Sequence, residues 1–132
     1  MITNKKQLKS CLKYEQKLYG NKAINSFLPR VSEQGIIWKY IILLRKCEYL
    51  TNTHHKLTLL FCLYRFKKLG LKLGFHIPLN VIEKGLLIYH KGNLIINASH
   101  IGENFSTAGT AFLVAKGQTG DSPTLGDNVS WV

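Results

Sequence analysis

The sequence is poor in acidic residues, cysteine and proline, and it has no long apolar run. It carries seven Asp and Glu residues against 18 Lys and Arg residues, with three Cys and three Pro. Its longest apolar runs, at 41–44 and 57–64, are far shorter than the roughly 18 residues that span a bilayer. The basic N-terminus has neither an apolar core nor a small-residue cleavage site, so we do not expect a signal peptide there. We therefore expect a cytoplasmic protein.

Several kinds of site are missing from the sequence. Cys11, Cys47 and Cys62 are odd in number and widely spaced, which excludes a disulfide framework and a C-x-x-C site and suits a reducing cytosol. His54 and His55 are adjacent and have no ligand-spaced Cys, Asp or Glu nearby, so no metal site is predicted. Neither glycine-rich nucleotide-binding motif occurs.

The positive charge belongs to one half of the chain. Residues 1–75 hold 15 Lys and Arg residues against three Glu, whereas residues 76–132 hold three Lys against four acidic residues. The composition is otherwise that of a foldable chain, since 45% of the residues are hydrophobic. We therefore predict a basic helical region at 1–75 and a chemically different region at 76–132.

Helical periodicity dominates the first region. A weaker helix is predicted at about 5–19, and a clear apolar stripe predicts another helix through Ile37, Tyr40, Ile41, Leu44 and Cys47. Residues 53–73 predict a further helix with two apolar stripes. One stripe is Leu57, Leu60, Phe61 and Tyr64, and the other is Leu59, Cys62, Leu63, Phe66, Leu69 and Leu73. Two apolar faces on one helix imply contact on two sides, with other helices or with a second subunit.

A period of six replaces the helical period after residue 74. The repeated positions are Ile82, Ile88, Ile95, Ile101, Thr107, Leu113, Leu125 and Trp131. "HIGENF" (100–105) and "TLGDNV" (124–129) are near copies of one pattern: aliphatic, Gly, acid, Asn, large apolar. Such a hexapeptide repeat predicts a coiled parallel β-helix with Gly and Asn at its corners.

These stretches, with "RFKKLGLKLGFHIPLNV" (65–81), "IEKGLLIYHKGNLIIN" (82–97) and "GDSPTLGDNV" (120–129), resemble the serine acetyltransferase branch of the hexapeptide-repeat acyltransferases, particularly its short capsule-locus members. The resemblance covers about residues 36–132. It implies an α+β fold in which N-terminal helices precede a left-handed parallel β-helix of hexapeptide repeats. It also implies a homotrimer with active sites in the clefts between subunits.

The resemblance assigns the catalytic role to His90. A histidine at this place in the family's motif is the general base that deprotonates an acceptor hydroxyl as it attacks acetyl-CoA, and a neutral imidazole suits a base near neutral pH. Two departures from the family pattern bear on the acceptor. Tyr89 replaces the acidic residue before the histidine, and Asp121-Ser122-Pro123 lacks the Arg and His of the family's D-R-H-P stretch. The expected acceptor is a hydroxyl of serine or of a polysaccharide sugar, and these two departures favour the sugar.

The expected co-substrate is acetyl-CoA, with no metal. The insertion at 115–123 lies where the family has a loop beside the acetyl-CoA channel, which makes Lys116 and Gly117 the candidate contacts. The family adds further coils after the position of Trp131-Val132, so region 76–132 is expected to be an incomplete β-helix, truncated at its C-terminus. A non-catalytic trimeric scaffold derived from such an enzyme is the alternative.

The basic region raises the question of its partner. We do not expect nucleic acid, because Tyr40, Tyr64 and Phe66 lie on the helical stripes and are committed to packing. Cations at Arg65, Lys67, Lys68 and Lys72 instead favour weak, salt-sensitive contact with an anionic membrane surface or a lipid-linked sugar carrier.

Overall fold

Within residues 1–20, 32–108, 111–113 and 124–131, which the computed structural model describes, three helices precede eight short strands. Helix α1 spans Lys5–Tyr19, α2 spans Glu33–Asn52 and α3 spans Lys56–Leu73. The strands are β1 Phe75–His76, β2 Leu87–Ile88, β3 Leu94–Ile96, β4 His100–Ile101, β5 Ser106–Thr107, β6 Ala111–Leu113, β7 Thr124–Leu125 and β8 Ser130–Trp131.

The helices begin and end at residues suited to capping. The Asn4 side chain accepts a hydrogen bond from the Gln7 N–H (2.8 Å) at the start of α1, and the Ser32 side chain caps α2 in the same way. Gly74 ends α3 in the left-handed region, at a φ of 79°, where glycine has no steric penalty. In the described ranges, no helix has both the length and the apolar character needed to cross a bilayer.

Helix α2 is the centre of the core. Its predicted stripe, from Ile37 to Cys47, is almost completely buried. The Tyr40 ring stacks on Phe66 of α3 with 4.8 Å between centroids and meets Phe75 of β1 edge-on at 5.2 Å. This aromatic cluster therefore joins α2, α3 and the first strand.

Helix α3 packs through one of its two predicted stripes. Cys62, Phe66 and Leu73 of the second stripe are buried against α2 and β1. The first stripe, Leu57, Leu60, Phe61 and Tyr64, is exposed. The described part of the chain thus covers one apolar face of α3 and leaves the other in contact with solvent.

The strands form three separate parallel sheets. Strands β1, β3 and β6 make one sheet, β2, β5 and β8 a second, and β4 and β7 a third. The prediction of a left-handed β-helix of hexapeptide repeats is wrong: the sheets are short and separate, and they do not close into a coil. In the first sheet, Leu94 pairs with Phe75 on one side and with Ala111 on the other.

Two of the predicted inward positions, Ile95 and Leu125, are only half-buried. Ile95 was expected to face the core, but it is half-buried, while Leu94 and Ile96 on either side are fully buried. The extra residue before Ile95 moves the strand by one position, and a shift of one residue exchanges the two faces of a strand. Ile82, Ile88, Ile101 and Thr107 are buried as the period of six predicts.

Candidate functional site

His90 lies just after β2, beside the first turn of α2. Its imidazole Nδ1 is 3.5 Å from Oε2 of Glu33, and its side chain is 70% exposed. Glu33 is the first residue of α2, directly after the Ser32 cap, so the helix start fixes the position of the carboxylate. The sequence predicts no acidic partner for His90, because the residue before it is Tyr89. The structure supplies the acid from a distant helix.

The first turn of α2 also holds the backbone around His90. The Lys91 N–H donates to Oε1 of Glu33 at 2.5 Å, and the Gln34 side-chain amide donates to the Tyr89 carbonyl. The hydrogen bond from the Lys91 N–H, together with the neighbouring His90 ring, holds the pKa of Glu33 below its ordinary value. The carboxylate therefore stays ionised beside the imidazole at neutral pH.

Tyr19, the last residue of α1, anchors β2 and hence the segment that carries His90. Its hydroxyl donates to the Leu86 carbonyl (3.2 Å) and accepts from the Ile88 N–H (3.0 Å). The phenol is buried, and this burial raises its pKa well above the ordinary tyrosine value. Because the hydroxyl stays protonated, it can donate and accept at the same time.

A buried charged cluster connects the helices to the strands. Arg45 of α2 makes a two-point ion pair with Glu15 of α1, with Nε–Oε1 and Nη2–Oε2 distances of 2.8 and 3.0 Å. Its Nη1 donates to Glu48 (2.8 Å) and to the Ile82 carbonyl (2.7 Å), and its Nη2 also donates to the Glu83 carbonyl (2.8 Å). All five guanidinium N–H groups therefore have acceptors.

The two carboxylates of this cluster also bind backbone N–H groups of the segment before β2. Oε2 of Glu15 accepts from Leu86 (2.9 Å), and Oε2 of Glu48 accepts from Asn80 (2.9 Å). Both carboxylates are almost completely buried. The cluster of Glu15, Arg45 and Glu48 thus fixes residues 80–86, which lead into β2 and His90.

The pKa values inside this cluster depend on burial and on its charge balance. One guanidinium faces two carboxylates, and Glu15 takes two of its N–H groups. Burial raises the pKa of Glu48 even though Arg45 acts in the opposite direction. Burial is the largest single influence on the pKa of Arg45 and acts to lower it, but the charge and hydrogen bonds of Glu15 and the charge of Glu48 together outweigh it and raise that pKa above its ordinary value. Cys11, beside Glu15, has its pKa raised to about 12, chiefly by burial.

The sequence carries a signal for two members of this cluster that the apolar stripe alone does not include. Arg45 and Glu48 follow Ile41 and Leu44 by four residues each, so they continue the apolar stripe of α2. A charged residue on an otherwise apolar stripe is buried and must be paired. The partner Glu15 had no comparable signal, because the rest of its helix is mostly polar.

A second histidine–carboxylate pair lies elsewhere on the surface. His100 Nε2 is 3.2 Å from Oε1 of Glu83, with both side chains about half exposed. These two residues line a cavity of about 590 Å³ between α1 and the strands. No role is predicted for His100 from the sequence, and no family motif surrounds it.

The other predicted site residues cannot be placed. Lys116 and Gly117, the predicted acetyl-CoA contacts, lie outside the described residues, as does the Asp121-Ser122-Pro123 stretch. Among the residues that the structure does describe, no three His, Cys, Asp or Glu side chains are grouped so as to hold a metal ion.

Comparison with known proteins assigns no family. A scan of protein-family models and searches of curated proteins and of solved structures found no match to this chain. The residues around His90 are therefore the basis for inferring a function.

Proposed function

We propose that the chain is an O-acetyltransferase that moves an acetyl group from acetyl-CoA to a hydroxyl of serine or of a polysaccharide sugar. The observation that supports this proposal is the pairing of His90 with the carboxylate of Glu33. A histidine whose Nδ1 faces a carboxylate is held in one orientation, and its Nε2 is then the nitrogen that accepts a proton. The motif around His90 supplies the reaction class, as a resemblance only.

The proposed reaction needs one proton carrier. His90 takes the hydroxyl proton of the acceptor on Nε2 as the acceptor oxygen bonds to the thioester carbonyl carbon. Glu33 stabilises the imidazolium that results. When the carbon–sulfur bond breaks, His90 returns the proton to the departing thiolate, which leaves as the free thiol. The products are an acetyl ester and CoA, so atoms and charges balance.

The assembly and location belong to the same proposal. A homotrimer would bring a neighbouring subunit to His90, whose side chain is 70% exposed in the single chain and so lacks the water-excluding walls of an enzyme site. Lys116 and Gly117 remain the proposed acetyl-CoA contacts, no metal takes part, and the proposed location is the cytoplasm.

The test is thiol release from acetyl-CoA with serine and with sugars as acceptors. His90→Ala and His90→Asn should lower turnover by about two to four orders of magnitude with an unchanged circular dichroism spectrum. His100→Ala is the matched control, because it removes an exposed, carboxylate-paired histidine outside the motif. Activity that survives His90→Ala, or that depends equally on His100, would show that the base is wrongly assigned.

The exposure of His90 also favours a second candidate function. A non-catalytic scaffold descended from such an enzyme would keep the fold and its assembly without a closed site. Calorimetry that shows no heat with acetyl-CoA, from a protein that sediments as a trimer, would favour the scaffold. Heat with acetyl-CoA that persists in His90→Ala would favour the enzyme, because that variant removes the base and leaves the co-substrate contacts.

A further inference from the structure

Helix α3 presents an uncovered apolar stripe, which we call the α3 face: Leu57, Leu60, Phe61 and Tyr64. Their exposed fractions are 86, 66, 67 and 66%. The spacing i, i+3, i+4, i+7 places all four on one side of the helix. Single exposed hydrophobic residues are ordinary, but four on one stripe form a contiguous patch of the kind that marks an interaction surface.

The orientation of α3 is fixed by its opposite side. Cys62, Phe66 and Leu73 are buried against α2 and β1, and Gly70 allows the close approach, since an added Cβ would be 2.9 Å from the Phe75 carbonyl oxygen. The helix therefore cannot rotate to bury the α3 face without exposing an equally apolar stripe. The buried stripe packs against α2 and β1, so a partner of the α3 face must be something other than these two elements.

Positive charge surrounds the α3 face, and α3 contains no acidic residue. On a helical wheel, cations flank the stripe on both sides and continue it toward the C-terminus; they are Lys56, Arg65, Lys67, Lys68 and Lys72. The Lys68 ammonium lies 6.0 Å from the centre of the Tyr64 ring. Long Lys and Arg side chains can lie along apolar surface and place their charges at its edge.

A groove between α2 and α3 extends this surface. It has a volume of about 950 Å³ and includes Phe61 and Tyr64 on one wall. Helix α2 adds Lys39 and Lys46 to its rim, and no acidic residue is found among the described residues that line it. The partner of this surface must therefore offer both apolar groups and negative charge.

We propose that α3 docks on an anionic membrane surface. The helix lies in the plane of the interface, the α3 face enters the acyl boundary, and the flanking cations meet the lipid headgroups. The exposed side of this 18-residue helix has the apolar stripe and basic flanks that an interfacial helix presents to a membrane, and the helix contains no acid.

Charge argues against a second copy of the chain as the partner. The net charge is +11, and two of the seven acidic residues, Glu15 and Glu48, are buried. Glu33 and Glu83 are paired with histidines. A second copy therefore offers little negative charge to the cations of α3. Tyr64 was expected to be committed to packing, but it is 66% exposed, so that argument against nucleic acid holds only for Tyr40 and Phe66. The aliphatic side chains of Leu57 and Leu60 still favour an acyl phase, because they provide no stacking platform for bases.

The experiment is co-sedimentation with phosphatidylcholine vesicles, with and without phosphatidylserine. The unaltered chain should bind the phosphatidylserine vesicles and lose affinity as salt is added. Leu60→Ser with Phe61→Ser should lower the partition coefficient by about tenfold for each side chain. Lys67→Glu with Lys68→Glu should lower it by about fivefold or more for each cation.

Controls on α1 repeat one Leu→Ser change and the double charge reversal. Leu18→Ser removes an exposed leucine outside the α3 face, and Lys6→Glu with Lys13→Glu changes the net charge by the same amount as the α3 pair. Both controls should bind vesicles nearly as well as the parent chain. Circular dichroism of every variant confirms that the helices remain.

Three results would overturn the membrane proposal. The first is equal binding of the α3 variants and their α1 controls. The second is an absence of vesicle binding together with a concentration-dependent oligomer that Leu60→Ser with Phe61→Ser abolishes, which would assign the α3 face to a second copy. The third is an oligonucleotide complex that depends on the same residues without any vesicle binding.

Discussion

Replacing Arg45 by Met should be among the most damaging single changes in this protein. The guanidinium neutralises Glu15 and Glu48, which are 0 and 4% exposed, and it donates to the carbonyls of Ile82 and Glu83. Without it, two buried carboxylates have no cation. Removing one partner of a buried ion pair typically costs about 3–5 kcal/mol, out of a total stability of about 5–15 kcal/mol.

Urea unfolding measures this cost directly. With an m-value of about 2 kcal/mol/M, a loss of about 4 kcal/mol moves the midpoint by about 2 M. Far-ultraviolet circular dichroism follows the helices, and fluorescence follows Trp38, which is buried with its ring centre 5.4 Å from that of Tyr19. Lys46→Met removes an exposed cation next to Arg45 and should change stability by less than about 0.5 kcal/mol.

A double variant separates the charge from the hydrogen bonds. Adding Glu15→Met to Arg45→Met removes one of the two uncompensated carboxylates and should recover part of the loss. The recovery should be incomplete, because the Leu86 N–H and the carbonyls of Ile82 and Glu83 then lack partners, at about 1–3 kcal/mol for each unpaired buried group. A loss below about 1 kcal/mol in Arg45→Met, or full recovery in the double variant, would refute the role assigned to the cluster.

Three further changes test other contacts. Tyr19→Phe removes the hydroxyl that binds the Leu86 carbonyl and the Ile88 N–H, and unfolding in urea should show a loss of about 1–3 kcal/mol; an unchanged midpoint would mean that water replaces it freely. Gly85→Ala should cost about 1–3 kcal/mol, because φ is +93° and the new Cβ would be 2.4 Å from the Asn104 side-chain oxygen. Gly126→Ala, where a Cβ meets open space, is its near-neutral control. Because the pKa of Glu48 is higher in the folded chain, its contribution to stability is complete below the ordinary value of 4.5 and is lost as pH rises through the raised value. In Glu48→Gln, the free energy of unfolding should therefore fall less as the pH rises through this range. A pH profile identical to that of the parent chain would contradict the raised pKa assigned to Glu48.

The helices were the predictable part of the fold. Residues 5–19 were expected to be helical, and α1 is Lys5–Tyr19. The stripe through Ile37 and Cys47 predicted the buried side of α2, because a period of 3.6 depends on residues close in sequence. The same pattern predicted that both stripes of α3 are in contact with a partner, and it could not show that the described part of the chain covers only one of them.

The strands and the site depended on contacts between distant residues. A period of six indicates which residues are apolar, but it does not show whether the strands close into a coil, and the predicted closure is not seen. His90 was singled out from its motif. Its partner Glu33 lies far away in the sequence, and only the start of α2 brings the two together. The same holds for Glu15, whose carboxylate reaches the Leu86 N–H across 71 positions of the chain.

The buried cluster has a consequence for the order of folding. Glu15, Arg45 and Glu48 all leave the ribosome before the backbone groups of residues 80–86 that complete their hydrogen bonds. Helices α1 and α2 of a growing chain must therefore hold these charges in contact with water until that later segment docks. Closing such long loops is a slow step. We expect the final docking of residues 80–86, with expulsion of that water, to limit the rate at which the native chain forms.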